Sequence, residues 1–380
     1  MALPPGPSWP AALQTAAWIA RPAPFMERAR RRYGDAFTVR LAQVGTFVFT
    51  TDPEVLKGVF TTGPDRLRAG EANFALEPIL GSRSVLLLDG AEHIRQRRLM
   101  LPPFHGERLR GYEQLIAEIA DEEMQGWPSG EALSLQPRMQ AITLEVILRV
   151  VFGMDRGPRL VQLREQIKRL LDVTTKPWAL VPPLRRNLGR FSPWMRFLAV
   201  RDAVDEIIFA EVARRRDDPG LAERTDIFSL LLQARDEEGE PLTDRELRDE
   251  LITLLVAGHE TTATGLAWAF ERLVRSPGAL ERLADDEDPA YADAVVQETL
   301  RLRPPIPIVA RRVVNEPFDL GGHSIPVGAM VAPCIYLVHR RADLYPDPYA
   351  FRPERFLERP PETYSWLPFG GGMRRCIGAS

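Results

Sequence analysis

Apolar positions recur at steps of three and four residues through most of this chain, the spacing that gathers side chains on one face of an α-helix. On this basis helices are predicted over residues 91–101, 108–125, 137–152, 159–172, 193–216 and 227–234, with a short basic helix over 25–33 ahead of them. The longest pattern begins at Thr243-Asp244-Arg245-Glu246, a capping box in which hydroxyl and carboxylate satisfy each other's backbone N–H groups. It runs without proline until Ser276-Pro277-Gly278 stops it, giving about 32 residues and roughly 48 Å of helix. Leu247, Leu251, Leu254, Gly258, Thr261 and Gly265 share one face of that helix, and the face is expected to be buried. Strand-like material gathers at the two ends. Residues 37–41 and 46–50 read as a β-hairpin around Gly45, and residues 309–331 are rich in β-branched side chains broken by Gly321-Gly322 and Pro326. The expected fold class is mainly α with a small β-rich region. No internal repeat or linker divides the pattern, so 1–380 is expected to form a single domain.

Composition narrows the class. A 45% hydrophobic content over 380 residues supports a sizeable core. The net charge of −3 and a pI near 6.1 leave no electrostatic footprint for nucleic acid. Lysine occurs only at 57, 168 and 176, an arginine bias that carries no functional reading by itself. Two cysteines, Cys334 and Cys376, are too few for a disulfide framework, and no C-x-x-C or H-x-x-x-H spacing points to zinc. This suits a reducing cytoplasm. The N-terminus runs directly into proline-rich sequence, with neither an apolar run of about 20 residues nor a signal-peptide pattern, so no transmembrane anchor is expected.

The candidate chemistry lies in two segments. Phe369-Gly370-Gly371-Gly372-Met373-Arg374-Arg375-Cys376-Ile377-Gly378 puts a cysteine on a glycine-rich, arginine-flanked loop. Exposed backbone N–H groups and nearby guanidinium charge favour a thiolate, and glycines admit a large planar ligand close to the backbone. In the middle of the long helix, Ala257-Gly258-His259-Glu260-Thr261-Thr262 sets two small residues before an acid and a hydroxyl. A mid-helix threonine can hydrogen-bond the carbonyl four residues back, here that of Ala257.

The spacing F-x-x-G-x-R-x-C-x-G resembles the haem-binding loop of the cytochrome P450 family at every fixed position, and 257–262 is similar to that family's A/G-G-x-D/E-T-T/S oxygen motif. The resemblance covers nearly the whole chain. It implies a P450 fold, haem b as cofactor and Cys376 as the iron ligand, with Phe369, Gly372 and Gly378 as fixed positions of the loop and Ala257 and Gly258 beside the haem. Thr261 would hydrogen-bond dioxygen and, with Glu260, organise proton delivery. His93 and Arg97 fit the family's H-x-x-x-R, and Arg311 and Arg374 are further partners for the haem carboxylates; Arg312 competes with Arg311 for that role. Glu298, Arg301 and Arg355 fit the E-x-x-R network that holds the fold beneath the cysteine loop. Residues 176–191 correspond to a substrate-access lid, and 69–88 would also overlie the pocket.

The implied activity is a haem-thiolate monooxygenase that inserts one oxygen atom from O2 into a hydrophobic small molecule. Apolar residues 254–257 and 306–309 suit such a substrate. No redox domain is fused, so a separate ferredoxin- or flavodoxin-type donor is expected to act on a monomer, steered by Arg95, Arg98, Arg108, Arg110 and Arg375. Other readings are a Cys376 nucleophile with His339 or His323 as base, a haem sensor without turnover, and an isomerase or peroxygenase on the same fold. Family members continue beyond the cysteine loop with a helix and a β-hairpin, whereas this chain stops at Ser380. It is therefore expected to be incomplete at its C-terminus, with an inactive haem-binding fragment as the alternative.

Overall fold

The computed structural model describes residues 2–104, 107–154, 157–174, 185, 189, 192–286 and 288–379, without the side chains of 107–110, 158–160 and 173–174. Most of the proposed lid at 176–191, and the side chains of Arg108 and Arg110, lie outside the described residues. Prominent helices are α1 (Pro22–Tyr33), α2 (Pro53–Thr61), α3 (Gly90–Met100), α4 (Leu135–Val146), α5 (Pro193–Arg216), α6 (Asp244–Val274) and α7 (Pro289–Leu302). The strands are β1 (Ala36–Leu41), β2 (Gly45–Thr50), β3 (Leu67–Arg68), β4 (Arg311–Val313), β5 (Phe318–Leu320), β6 (His323–Ile325) and β7 (Met330–Pro333). The chain divides into two compact units, one formed by residues through Ala72 together with Thr264–Ala379, the other by Asn73–Ala263.

All the strands belong to the first unit. One sheet has the order β1-β2-β7-β4-β3, and β5 pairs with β6 in a second. The hairpin predicted around Gly45 is present, with Phe37 opposite Phe49, and β7 runs parallel to β2 with Met330 opposite Phe47. Phe37, Val39 and Phe49 are fully buried, and the Phe37 and Phe49 rings stack at 5.1 Å. Alternation along the strands sends these residues to one side, where Met26 and Ala29 of α1 pack on them. Asp52 caps α2, its carboxylate accepting the Glu54 N–H at 2.9 Å, and the helix buries Leu56, Val59 and Phe60.

In the second unit, α5 has the bounds its periodicity predicts. The helix expected over 137–152 instead starts at Leu135 and changes after Val146 into a π-helical turn, Ile147–Val151. The capping box of α6 is formed: the Thr243 N–H donates to Glu246 Oε2 at 2.8 Å, and the Glu246 N–H to Thr243 Oγ1 at 3.2 Å. The buried face of α6 needs correction. Leu247 and Leu251 are fully buried, but Leu254, Gly258, Thr261 and Gly265 are only half-buried and Ala257 is exposed. Burial follows four-residue steps through Leu255, His259 and Ala263, so the stripe that packs on protein lies beside the one the apolar spacing marked.

The part of 69–88 in this unit is tied down along α6. The Arg83 N–H donates to Asp249 Oδ2 at 2.9 Å and the Val85 N–H to Glu250 Oε1 at 2.8 Å, while the Ser84 and Thr253 hydroxyls pair at 2.6 Å. Burial holds the Glu250 carboxyl well above the usual carboxylate range.

Candidate functional site

The cysteine loop is built on the end of α2. Gly370 and Gly372 have φ of +68° and +63°, and a 3₁₀ turn over Gly372–Arg374 leads to Cys376, whose N–H donates back to the Phe369 carbonyl at 2.9 Å. A Cβ on Gly372 would lie 2.1 Å from the Phe60 carbonyl oxygen, and one on Gly371 would lie 3.1 Å from the Phe60 ring. These two glycines therefore let the loop seat on α2, a protein contact, where the sequence suggested ligand approach alone. A Cβ on Gly378 would meet nothing within 4 Å. Phe369 is half-buried and packs edge-on against Trp366 at 5.8 Å. Cys376 is a free, exposed thiol flanked by half-buried Arg374 and exposed Arg375. Cys334, by contrast, is buried against the Met26 sulfur at 3.5 Å, and desolvation pushes its thiol up to about 12. Of the two cysteines, only Cys376 is accessible.

Beneath the loop, the expected acid–arginine network is fully buried. Arg301 donates to both oxygens of Glu298, at 2.7 and 2.8 Å, and also to the carbonyls of His339, Pro348 and Ala350. Arg355 approaches Glu298 at 3.1 Å, and the Arg352 N–H donates to it at 2.8 Å. His339 continues the network toward the loop. Its Nδ1 lies 3.1 Å from the Arg301 carbonyl, and its Nε2 accepts the Leu367 N–H at 2.8 Å, so the ring is the neutral Nδ1–H tautomer. Burial first, then the Arg301 charge, lowers its pKa to about 3. With both nitrogens committed, His339 is not the base of a Cys376 nucleophile. His323 is half-exposed, its Nδ1 3.4 Å from the Ala2 carbonyl. Sequence periodicity had no signal for the His339 link to Leu367.

In the second unit, Thr261 Oγ1 donates to the Ala257 carbonyl at 2.5 Å, as its spacing predicted, while α6 stays α-helical throughout. Glu260 is half-buried and accepts the Gln140 side-chain N–H at 2.9 Å. The neighbouring His259 is buried, with Nδ1 2.9 Å from Thr143 Oγ1 and Nε2 3.7 Å from Glu260 Oε1. Gln140 and Thr143 lie three residues apart on α4, more than a hundred residues away in sequence, and sequence reasoning missed both. A Cβ on Gly258 would meet Ile147 at 3.4 Å, ordinary contact.

The carboxylate partners divide between the units. His93 is buried and Arg97 half-buried, one turn apart on α3. On β4, Arg311 is buried and lies 5.9 Å over the Phe60 ring, whereas Arg312 is turned outward toward Glu71 at 3.7 Å. A family model described as Cytochrome P450 matches residues 4–380.

The chain belongs to the cytochrome P450 family. It is 45% identical to a Mycobacterium tuberculosis protein named "Putative cytochrome P450 135B1", covering all of this chain and 82% of that one. A second protein of that organism, "Putative cytochrome P450 137", is 39% identical over 97% of this chain and 78% of its own. Among solved structures, the retinoic acid-bound cyanobacterial CYP120A1 superposes with a TM-score of 0.85 at 23% identity, covering all of this chain and 88% of that one. CYP175A1 from Thermus thermophilus has a TM-score of 0.74 at 28% identity, with coverage of 97% and 86%.

Haem b is the cofactor of this family of haem-thiolate monooxygenases, and the donor set of this P450 fits it: one open thiol on a glycine loop, with arginine beside it. The expected arginine patch for an electron donor is not as open as the sequence implied. Arg95 bonds Asp236 at 2.6 Å and Glu246 at 3.1 Å, and Arg98 pairs with Glu237, so nearby carboxylates already offset both charges. Among the described residues no helix is long and apolar enough to cross a membrane.

Proposed function

We propose that this P450 inserts one atom of O2 into a hydrophobic organic substrate, as a cytoplasmic monomer supplied with electrons by a separate ferredoxin- or flavodoxin-type donor, with residues 1–380 working as one catalytic domain. The observation that carries the reading is the accessible Cys376 thiol on its α2-seated loop, whereas the second cysteine, Cys334, is sealed in the core. Cys376 would ligate the iron. His93, Arg97, Arg311 and Arg374 would hold the haem carboxylates, with Arg311 preferred to Arg312 because its side chain is buried and Arg312 is drawn to Glu71. Phe369, Gly372 and Gly378 shape the loop, and Ala257 and Gly258 leave α6 low enough for a flat ligand to approach.

Haem b supplies oxygen activation, with the thiolate pushing electron density onto the iron. Thr261 orients a hydroxyl whose own proton is held by the Ala257 carbonyl, leaving its oxygen lone pairs to accept another donor. Glu260 holds and passes protons from a half-exposed carboxyl, and the apolar residues 254–257 and 306–309 favour a substrate that sheds its water. The deciding measurement is the Soret band of the reduced protein under carbon monoxide. The thiolate assignment requires the far-red-shifted band and its loss in Cys376→Ala; an unshifted band in the native protein would overturn it. Thr261→Ala is expected to raise peroxide release relative to product, and unchanged coupling would count against its role.

A further inference from the structure

Glu260 is held asymmetrically. Its Oε1 accepts the Gln140 side-chain N–H at 2.9 Å and faces His259 Nε2 at 3.7 Å, whereas Oε2 has no hydrogen-bond partner among the described residues. The Thr143 hydroxyl lies 2.9 Å from His259 Nδ1 and 3.3 Å from the Gln140 carbonyl, so Nδ1 is the closer acceptor for its proton. With Thr143 donating to Nδ1, the remaining imidazole proton is on Nε2 and points at the carboxylate. One hydrogen bond and one more distant N–H dipole then face the same oxygen of the acid.

We infer that Gln140, Thr143 and His259 are positioning residues for Glu260, anchoring Oε1 toward α4 so that Oε2 alone receives and releases protons during turnover. The inference rests on the proposed proton-delivery role of Glu260 and adds the residues that make that role directional. A carboxylate free to rotate presents either oxygen and samples poses too distant for transfer, whereas one pinned at Oε1 keeps Oε2 in a single small volume. The 3.7 Å separation is longer than a hydrogen bond, so Gln140 is the primary anchor and His259 a charge-orienting donor. Two properties suit His259 to that part. It is buried, and desolvation lowers its pKa despite the opposing pull of Glu260, which keeps the ring neutral near pH 7. Among the described residues Glu260 is the charged group that acts on it, and the α4 side chains facing it, Gln140 and Thr143, carry no charge.

Two experiments on the haem-loaded protein test this. In the first, the His259 ring is followed by nitrogen NMR in the reduced, carbon monoxide-bound state, its signals identified by their loss in His259→Phe. The inference requires the Nε2–H tautomer in the native protein and a further downward shift of the His259 titration in Glu260→Gln, where the opposing charge is gone. An Nδ1–H tautomer, or a titration indifferent to Glu260→Gln, would overturn it. In the second, Gln140→Leu is expected to lower kcat about tenfold and divert electrons to peroxide with substrate KM unchanged, and His259→Gln, which retains an N–H donor, is expected to keep more coupling than His259→Phe. Coupling unchanged in Gln140→Leu while Glu260→Gln uncouples would remove the positioning role alone. Coupling unchanged in Glu260→Gln would remove the underlying proton-delivery reading.

Discussion

Two glutamates on helices of this P450, Glu298 and Glu260, show how differently one side chain can be used. Glu298 is completely buried and meets Arg301 twice, Arg355 and the Arg352 N–H. Glu260 leaves 32% of its side chain exposed and has one firm hydrogen bond. A buried carboxylate costs several kcal/mol to desolvate and persists only when its lone pairs are filled. Glu298 has no oxygen left for chemistry, and Glu260 keeps one. Saturation suits Glu298 to a structural part, and the open oxygen of Glu260 is what its proposed proton-delivery role requires.

The comparison breaks most readily at the saturated end. Glu298→Ala leaves Arg301 charged and buried without its partner, and is expected to cost about 3–5 kcal/mol in denaturant unfolding. Glu260→Gln is expected to change stability by no more than about 0.5 kcal/mol while uncoupling turnover. Equal losses of stability would erase the distinction.

The same contrast between filled and open surroundings separates two glycines of the cysteine loop. Gly372→Ala must keep φ near +63° and force a methyl group against the Phe60 carbonyl, and is expected to cost about 2–4 kcal/mol. Gly378→Ala meets no neighbour and should stay within about 0.5 kcal/mol. Thermal unfolding of the two variants side by side checks this, and a similar melting shift for both would show that the loop is not seated on α2.

A graded effect, spread over several pH units, comes from His339. Its folded pKa of about 3 lies below the ordinary value of 6.5, so the unfolded chain binds the extra proton between those limits. The stability this group contributes is complete above about pH 6.5 and is lost as pH falls toward 3, at up to about 1.4 kcal/mol per unit. Unfolding free energies from pH 7 to 4, compared between the native protein and His339→Gln, isolate that slope. Parallel curves would place the acid sensitivity elsewhere.

Local signals were legible in the sequence because their partners are close along the chain. The capping box at Thr243 and Glu246 and the bond from Thr261 to the Ala257 carbonyl join residues three and four positions apart, the hairpin around Gly45 joins two neighbouring segments, and all three are formed. The motif Glu298 to Arg301 was legible through resemblance, since its spacing alone describes any surface ion pair. What escaped were pairings fixed by tertiary packing: Gln140 with Glu260, Thr143 with His259, and His339 with the Leu367 N–H. Which of Arg311 and Arg312 is buried was likewise undecidable before strand β4 was seen, where Arg311 faces inward. The buried face of α6 was misjudged beyond Leu251 because apolar spacing reports where a helix can pack and does not say which of two adjacent stripes meets protein neighbours.

The π-helical turn at Ile147–Val151 has a consequence for how this molecule tolerates length changes. Such a turn accommodates one residue more than an α-helix needs, so the chain beyond it is rotated by about 100° relative to an uninterrupted helix. Gln140 and Thr143 lie before it and face His259 and Glu260, while Phe152, just after it, gives its carbonyl to the buried Arg215. One segment thus serves both sets of partners, with the wider turn set between them. Deleting a single residue there is expected to move the Phe152 carbonyl away from Arg215 while the bonds of Gln140 and Thr143 stay, which thermal unfolding would register as a loss of stability.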